Sequence, residues 1–393
     1  MRLSRADHGQ YGFDSPHRTA NDRMRVTLMS TPPDTTSGTG QYSDALASEL
    51  SDFVSLTQTY FPADCANPAP FLRAALSTGR EETDVVHVQF DYVLFGPVGL
   101  YTLFFLPLLW IQSRRFDFAL VVTMHEVLNG KLVGPPLVPL KKLYTWVLNT
   151  VVAQTADSVV FLSGEAEKRF TDSVGAGTYR QVPHGANRED IRTLAPAEAK
   201  DHFGYTAETQ LVVLPGYVSP RKGSDLFCAL ADRCPDIEFL LAGGPPRERH
   251  TSFYESIRSR APSNLQVTGH LEADAFHAAF AAADIVVLPY NETEQTGVVN
   301  AVNQSGVFNW CAAYGVPVLA SDCARFRTLQ NEWDAVALFD GTDLDDAERV
   351  MRELLVDKTK RDQLSANIER YGTVNSLTAA AEAHQSLYRE FSS

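Results

Sequence analysis

The chain of 393 residues is too long for one ordinary hydrophobic core, and its length predicts two domains. A hydrophobic fraction of 44% is typical of globular proteins that fold in water. The net charge of −14 argues against nonspecific nucleic-acid binding, because phosphate contacts require a basic surface.

The cysteines are odd in number and scattered, and none of them forms a CxxC pair. This spacing favours reduced, buried thiols in a cytoplasmic protein over disulfides or a zinc site. They are Cys65, Cys228, Cys234, Cys311 and Cys323.

Residues 1–23 are polar and have no apolar core, so they do not match a secretory signal. We expect a disordered N-terminal extension, unless Met24 is the true start. From Arg25 to Ser30 the pattern predicts a strand, followed by a small-residue loop with Gly38, Thr39 and Gly40 and by a helix over 41–50. Strand, glycine-rich turn and helix open a doubly wound α/β domain. The loop is either a tight turn or a place where a ligand approaches the backbone.

Strands and helices alternate along the remaining chain, as a parallel sheet requires. A polar stretch over 185–208 separates two such series and is the predicted domain junction. The resulting fold class is α/β, with two Rossmann-like doubly wound parallel-sheet domains facing a cleft, and ligands are expected at the carboxyl ends of the strands. The predicted strands are Asp84–Phe90, Phe118–Thr123, Ser158–Leu162, Tyr179–Pro183, Leu211–Leu214, Ile237–Ala242, Leu265–Thr268, Asp284–Tyr290, Val316–Ala320 and Ala335–Phe339.

The segment Phe95–Ile111 is strongly apolar but shorter than the roughly 20 residues that a membrane-spanning helix needs. Proline and glycine residues also interrupt it. We expect a buried helix; the alternative is a surface that contacts a bilayer to reach a lipid-linked acceptor. Candidate headgroup contacts are Arg114, Arg115, Lys141 and Lys142.

A predicted anion site follows the strand that ends at Tyr290. Ser305 and Gly306 begin a helix there, and the first amide groups of a helix can hold a diphosphate. Arg221 and Lys222 precede another helix, where two cations oppose the helix dipole unless an anion is bound. The alternative is a solvated turn.

Three histidines have different expected roles. His125 follows a strand directly and could hydrogen-bond a substrate or leaving group, or else be a satisfied core residue. His87 lies inside a strand, which favours the core. His184 precedes Gly185 and could line a hinge or a cleft.

Two loop glutamates, Glu292 and Glu294, are candidates to accept hydrogen bonds from sugar or ribose hydroxyls, although solvation is the default for such side chains. No HExxH or DxD element stands out, so the sequence supports neither a metal site nor a metal cofactor.

Several motifs, taken in order, resemble the retaining glycosyltransferases of the GT-B fold and, more closely, the "glycosyl transferases group 1" family. In the N-terminal half these are DVVHVQ at 84–89, TMHE at 123–126 and PHG at 183–185. In the C-terminal half they are GYVSPRKG at 216–223, LAGG at 241–244, TGH at 268–270, LPY at 288–290, QSGV at 304–307 and GVPVLAS at 315–321.

The resemblance implies a nucleoside diphosphate sugar donor, a glycan, lipid-linked or small-molecule acceptor, and no metal. It implies catalytic roles for His125, Lys222 and Arg221. It places acceptor or cleft contacts at Gly38, Thr39, Gly40 and His184. Implied donor-binding residues are Gly216, Tyr217, Gly243, Gly244, His270, Tyr290, Glu292, Glu294, Gln304, Ser305, Gly306 and Val307.

By the same resemblance, residues 24–195 form the acceptor-side domain and 196–375 the donor-side domain. Residues 376–393 form a helix that crosses back to the first domain. A cytoplasmic enzyme, which could contact the inner face of the membrane, is the expected setting.

Two departures from the family pattern leave alternatives open. Tyr217 stands where an arginine is common, and Val302 and Trp310 stand where two glutamates are common. A catalytically inactive binding subunit is therefore one alternative, and a sugar-nucleotide epimerase of the same fold is another.

Overall fold

The computed structural model describes residues 23–33, 38–61, 67–80, 82–129, 135–187, 191, 194–246, 250–291, 294–295, 298–299 and 305–391. Within these residues the chain forms two six-stranded parallel sheets with helices around them. This is the two-domain α/β architecture that the alternating strands and helices predict.

The N-terminal sheet has the strand order β2-β1-β3-β4-β5-β6. Its central strands are buried on both faces and are therefore almost continuously apolar, as expected for a parallel sheet covered by helices. Its strands are β1 (Arg25–Ser30), β2 (Ser55–Tyr60), β3 (Val85–Phe90), β4 (Ala119–Met124), β5 (Ser158–Phe161) and β6 (Tyr179–Gln181). Its helices are α1 (Gly38–Leu50), α2 (Ala69–Ser77), α3 (Thr102–Phe116), α4 (Val138–Thr155) and α5 (Gly164–Val174).

The C-terminal sheet has the order β14-β13-β10-β7-β8-β9. Its strands are β7 (Leu211–Pro215), β8 (Glu238–Ala242), β9 (Leu265–Val267), β10 (Ile285–Leu288), β13 (Val318–Ser321) and β14 (Ala337–Phe339). A separate antiparallel pair joins β11 (Glu294–Gln295) to β12 (Val298–Val299). The helices are α6 (Pro196–His202), α7 (Ser224–Arg233), α8 (Thr251–Arg260), α9 (Ala273–Ala282), α10 (Gly306–Tyr314), α11 (Ala324–Trp333), α12 (Leu344–Val356) and α13 (Lys358–Val374).

The last helix, α14 (Leu377–Arg389), packs against α1 in the N-terminal half. Tyr388 on this helix is fully buried, and its hydroxyl lies 2.6 Å from Nδ1 of His87 in β3. At the junction, the Ala186 amide donates to the Asn375 carbonyl and the Leu377 amide donates to the Ala186 carbonyl. The segment that leaves the N-terminal half at Ala186 and the segment that returns to it at Leu377 are therefore hydrogen-bonded to each other.

Two local predictions are wrong. Gly38, Thr39 and Gly40 form the first turn of α1 rather than a loop. The Ser43 hydroxyl donates to the Thr39 carbonyl within this turn, and Gly40 packs so closely on Pro32 that a side chain would not fit. The sequence pattern also gave no strand at β2. Its SLTQTY sequence is half exposed at the sheet edge, so it lacks the apolar run that marked the other strands.

Candidate active site

The carboxyl end of β7 leads into a short turn that carries two cations. Pro220–Lys222 form a 3-10 turn, and α7 begins at Ser224. Gly223 between them has φ +67°, and a Cβ atom there would lie 1.8 Å from the Pro289 carbonyl oxygen. The turn lies so close to the end of β10 that only glycine fits at this position.

Lys222 reaches across to Tyr290, which follows β10. Its Nζ lies 2.6 Å from the Tyr290 hydroxyl and 3.8 Å from the centre of the ring. The same hydroxyl lies 2.9 Å from Oγ of Ser305, which caps α10 by accepting a hydrogen bond from the Phe308 amide. One chain of contacts therefore joins Lys222 to the N-terminus of α10.

Lys222 is an unusual cation. Desolvation and, to a smaller extent, the charge of Arg221 lower its pKa well below that of a free lysine. Within the part of the chain that the structure describes, neither Lys222 nor Arg221 forms an ion pair with a carboxylate. The positive end of α10 adds to this field, since its first amide groups have no partner within the helix. The arrangement favours an anion.

The glycines of the donor motifs bring neighbouring strand ends close together. A Cβ atom at Gly243 would lie 1.9 Å from the Gly216 carbonyl oxygen, and one at Gly216 would lie 3.1 Å from the Val307 side chain. A Cβ atom at Gly244 would lie 2.7 Å from the ring of His270, which is exposed. The structure thus brings Gly216, Gly243, Gly244 and Tyr290 of the predicted donor residues to the ends of β7, β8 and β10.

Some of the predicted donor contacts cannot be placed. Glu292 and Gln304 lie outside the described residues, and for Glu294 only the backbone, in β11, is described. Tyr217 is partly buried beside Gly216. Trp310 lies on α10 and packs edge-on against the ring of His277 at 4.8 Å, so this side chain contacts the flanking helix α9.

The opposite side of the site is built on β3 and β4. His125 follows β4 and is buried, and its Nε2 donates to Oε1 of Gln89 at 2.7 Å. Burial, with a smaller contribution from the His184 ring, lowers the pKa of His125 to about 3. The imidazole is therefore neutral at physiological pH; its N–H is donated to Gln89, so Nδ1 is an acceptor and the ring carries no charge.

Beneath His125 lies a buried polar chain. Gln89 contacts His87, which also contacts Thr123 and Tyr388. His87 is completely buried and burial lowers its pKa, as expected for a satisfied core histidine. This chain fixes the orientation of the His125 ring through Gln89.

Tyr42 of α1 and His184 connect the two halves. Tyr42 packs edge-on against His125 at 5.1 Å and lies 4.2 Å from the His184 ring. His184 Nδ1 in turn lies 2.7 Å from the Asn309 side-chain amide of α10 and 3.2 Å from the Gly185 carbonyl oxygen. His184 therefore lies between the two sheets, in the cleft-lining position that was one of its two expected roles.

Glu126 was quoted in a motif but not selected as a site residue, and it lies at the centre of a charged cluster. Its pKa is raised to about 7, chiefly by burial and then by the charge of Asp91, while Arg221 and Arg169 oppose the rise. Arg221 comes from the C-terminal domain, so this electrostatic contact spans the cleft. A strand-end histidine followed directly by an acid was the available signal.

Tyr42, Gln89, Asn309 and Arg325 also escaped the sequence analysis. Arg325 is buried on α11, donates to the Tyr371 hydroxyl at 3.1 Å and helps to lower the pKa of His184. Nearby, the Thr328 hydroxyl donates to Glu165 of α5. Gln89 ends the DVVHVQ motif, but Tyr42, Asn309 and Arg325 lie in no motif, so only their spatial neighbours reveal them.

Comparisons with solved structures agree with this architecture. Anabaena HepE, in its crystal structure with UDP and glucose, superimposes with a TM-score of 0.73 over 93% of this chain and 100% of that chain, at 12% identity. An identity this low shows the fold alone, and the fold is GT-B.

Sequence comparisons show similarity to known glycosyltransferases. Residues 209–357 match the model described as glycosyl transferases group 1. A D-inositol 3-phosphate glycosyltransferase of Xylanimonas cellulosilytica is 27% identical over 320 residues, which are 77% of this chain and 70% of that protein. An alpha-galactosylglucosyldiacylglycerol synthase of Streptococcus pneumoniae is 32% identical over 34% of this chain and 38% of that protein. Over residues 209–357 the chain is similar to the group 1 glycosyltransferases, and its fold is GT-B.

Two further findings concern the described residues only. No group of three or more His, Cys, Asp or Glu side chains there is placed to hold a metal ion. None of the helices described has the length and apolar character that crossing a bilayer would require.

Proposed function

We propose that the protein is a retaining glycosyltransferase that moves a sugar from a nucleoside diphosphate sugar to a hydroxyl acceptor. The observation that carries the proposal is the desolvated amine of Lys222, which lies beside Arg221 and is joined through Tyr290 to Ser305 at the N-terminus of α10. Arg221 also acts electrostatically on Glu126 of the N-terminal domain. A diphosphate leaving group develops negative charge as the glycosidic bond breaks. Cations and helix amides already in position stabilise that charge without reorganisation.

Roles follow from the chemistry of each group. Lys222 and Arg221 bind the diphosphate together with the amides of Gly306 and Val307, which lets the reaction proceed without a metal. His125, neutral and oriented by Gln89, hydrogen-bonds a hydroxyl of the transferred sugar. Glu126, with a pKa of about 7, is available to exchange a proton near the acceptor.

The names of the relatives support a class of substrates. Anabaena HepE is solved with UDP, and the two sequence relatives act on an inositol phosphate and on a diacylglycerol glycolipid by their names. We infer a nucleoside diphosphate hexose as donor and a polyol or lipid-linked glycan as acceptor. The proposed place of action is the cytoplasm, at the inner face of the membrane.

A thermal-shift screen with UDP, GDP and their sugars tests donor binding. A ligand that binds only the native state at about 100 times its Kd adds about 2.7 kcal/mol of stability. We expect one nucleotide sugar to raise Tm in the wild type and not in Lys222→Met, and chelation of metals to leave the shift intact. Lys358→Met, an exposed lysine on α13, is the matched control.

Product analysis with that donor distinguishes the alternatives. Transfer or donor hydrolysis with retained anomeric configuration supports the proposal, and inversion contradicts it. Binding without any turnover identifies an inactive binding subunit, to which the replacement of the family glutamate by Trp310 would contribute. An epimerised nucleotide sugar identifies an epimerase.

A further inference from the structure

The outer side of the N-terminal domain carries a large set of exposed apolar side chains. Most soluble proteins cover such residues or scatter them singly. Here they lie on α3, on α4 and on the turns that precede these two helices. We call this set the α3–α4 face: Val98, Leu100, Leu103, Trp110, Ile111, Leu137, Leu140, Leu143 and Trp146.

The two helices form one continuous surface. They pack side by side, and each turns another stripe of residues toward the core, such as Leu109 on α3 and Leu148 on α4. The Tyr144 hydroxyl donates to the Val98 carbonyl at 3.1 Å, which joins the beginning of one helix to the turn before the other. The exposed stripes therefore share the side that faces away from the sheet.

The charge of this surface is opposite to that of the rest of the chain. The protein has 48 acidic residues, yet residues 92–116 and 127–156 contain none of them. The same helices carry Arg114, Arg115, Lys141 and Lys142. The Arg114 guanidinium lies 5.9 Å from the Trp110 ring centre. An apolar face with tryptophans and basic residues matches the chemistry of an anionic bilayer surface.

The α3–α4 face also reaches the edge of the candidate site. In a parallel sheet the helices that follow the strands begin at the carboxyl edge. That edge holds Asp91, directly after β3, and His125, directly after β4. Val93 is exposed two residues after Asp91, and Val98 and Leu137, exposed by 76% and 67%, lie at the helix starts. A surface seated on this face would lie beside the opening of the cleft.

We propose that the α3–α4 face docks the protein on an anionic lipid bilayer. Apolar side chains enter the headgroup region and the basic residues contact lipid phosphates. Because no helix of the described residues spans a membrane, this contact is peripheral. That the docked protein receives a lipid-linked acceptor rests on the proposed function; the docking itself does not.

Vesicle sedimentation of the full chain tests the docking. The probes are vesicles of phosphatidylcholine with and without phosphatidylglycerol. We expect binding to the anionic vesicles, weakened by added salt, and little binding to the neutral ones. Lys141→Glu with Lys142→Glu should weaken binding at least about tenfold, because each basic residue near the surface contributes about 1 kcal/mol. Trp110→Ser with Trp146→Ser should weaken it by a similar factor.

Matched controls come from the C-terminal domain. Lys358→Glu with Lys360→Glu makes the same charge change on an exposed helix, and Val356→Ser removes an apolar side chain that is 86% exposed. These variants should bind vesicles like the wild type. Equal loss in the controls overturns the proposal, since net charge or general stickiness would then explain the binding.

Other occupants of the α3–α4 face give different results. No binding to anionic vesicles overturns the proposal. A dimer in light scattering that Trp110→Ser with Trp146→Ser converts to monomer, without vesicle binding, identifies an interface between two copies. Vesicle binding with no donor turnover supports docking while the proposed function fails, and turnover without vesicle binding does the reverse.

Discussion

The two sides of the candidate site differ in charge. The C-terminal side presents Lys222, Arg221 and the start of α10, and each contributes positive potential. The N-terminal side presents His125, His184 and Tyr42, whose rings are uncharged because burial lowers the histidine pKa values to about 3 and about 4. One side is suited to hold an anion, and the other to orient hydroxyl groups. Catalysis of glycosyl transfer needs both, since the leaving group is charged and the sugar is not.

The cationic side gives the largest expected effect. Lys222→Met removes a charge that is desolvated and lies next to another cation, so activity should fall by about 10³-fold. The free protein should be no less stable, because the buried charge is lost together with its desolvation penalty. Steady-state kinetics and thermal unfolding measure the two effects. Full activity in Lys222→Met, or a similar loss in Lys358→Met, contradicts the assignment.

The uncharged side should respond less strongly. His125→Ala removes one oriented hydrogen bond, and we expect kcat to fall about 10²-fold. It also leaves Oε1 of Gln89 without the N–H that donates to it, at a cost of about 1–3 kcal/mol in the free energy of unfolding. His277→Ala, which removes a histidine packed against Trp310 on the far side of α10, is the control. Unchanged kcat in His125→Ala would remove this histidine from the site.

Glu126 joins the two sides electrostatically and should make stability depend on pH. Its pKa in the folded protein is about 7, above the ordinary value of 4.5. Between these two values the folded state holds the proton and the unfolded state does not, so this residue lowers the stability as pH rises through that window.

Glu126→Gln abolishes this titration. The variant should be more stable than the wild type by about 2 kcal/mol above pH 7, which is less than the full pKa shift implies because the side chain keeps some contact with water. The difference should vanish below the window. Denaturant unfolding across the pH range measures it, and an unchanged difference with pH would contradict the raised pKa. Glu255→Gln, at an exposed position of α8, should show no such trend.

The smallest effect concerns the contact that links the two sides. Asn309→Ala removes the hydrogen bond to His184 Nδ1, and we expect a loss of about 1 kcal/mol in the free energy of unfolding. Asn309→Asp keeps the size but places a carboxylate charge at a buried position, so it should cost more. Asn367→Ala, which removes an exposed side-chain hydrogen bond on α13, is the control and should lower the free energy of unfolding less in denaturant titrations. If both Asn309 variants are as stable as the wild type, the contact contributes nothing to the free energy of unfolding.

Much of the fold could be predicted from local patterns. The buried strands are short apolar runs, and their spacing with helices between them dictates parallel sheets. β2 could not be found this way, because it is a partly exposed edge strand whose sequence mixes polar and apolar residues. The start of α1 was misplaced because Gly38 and Gly40 are poor helix formers, and tertiary packing outweighs that preference.

The candidate site divides in the same manner. Arg221, Lys222, Ser305 and His125 follow strands or begin helices, and these positions made them visible. Glu126 was visible only as a neighbour of His125, since a carboxyl group acquires a pKa of about 7 from burial and from charges on other elements.

The sequence by itself determined the two parallel sheets, the edge at which ligands are expected and the cations placed there. Local periodicity and strand-end chemistry suffice for these features. Only the tertiary structure decided that Lys222 meets Tyr290, that His184 meets Asn309 and that the exposed stripes of α3 and α4 form one face. Contacts between residues far apart in sequence depend on how the sheets and helices pack, and no local pattern records that packing.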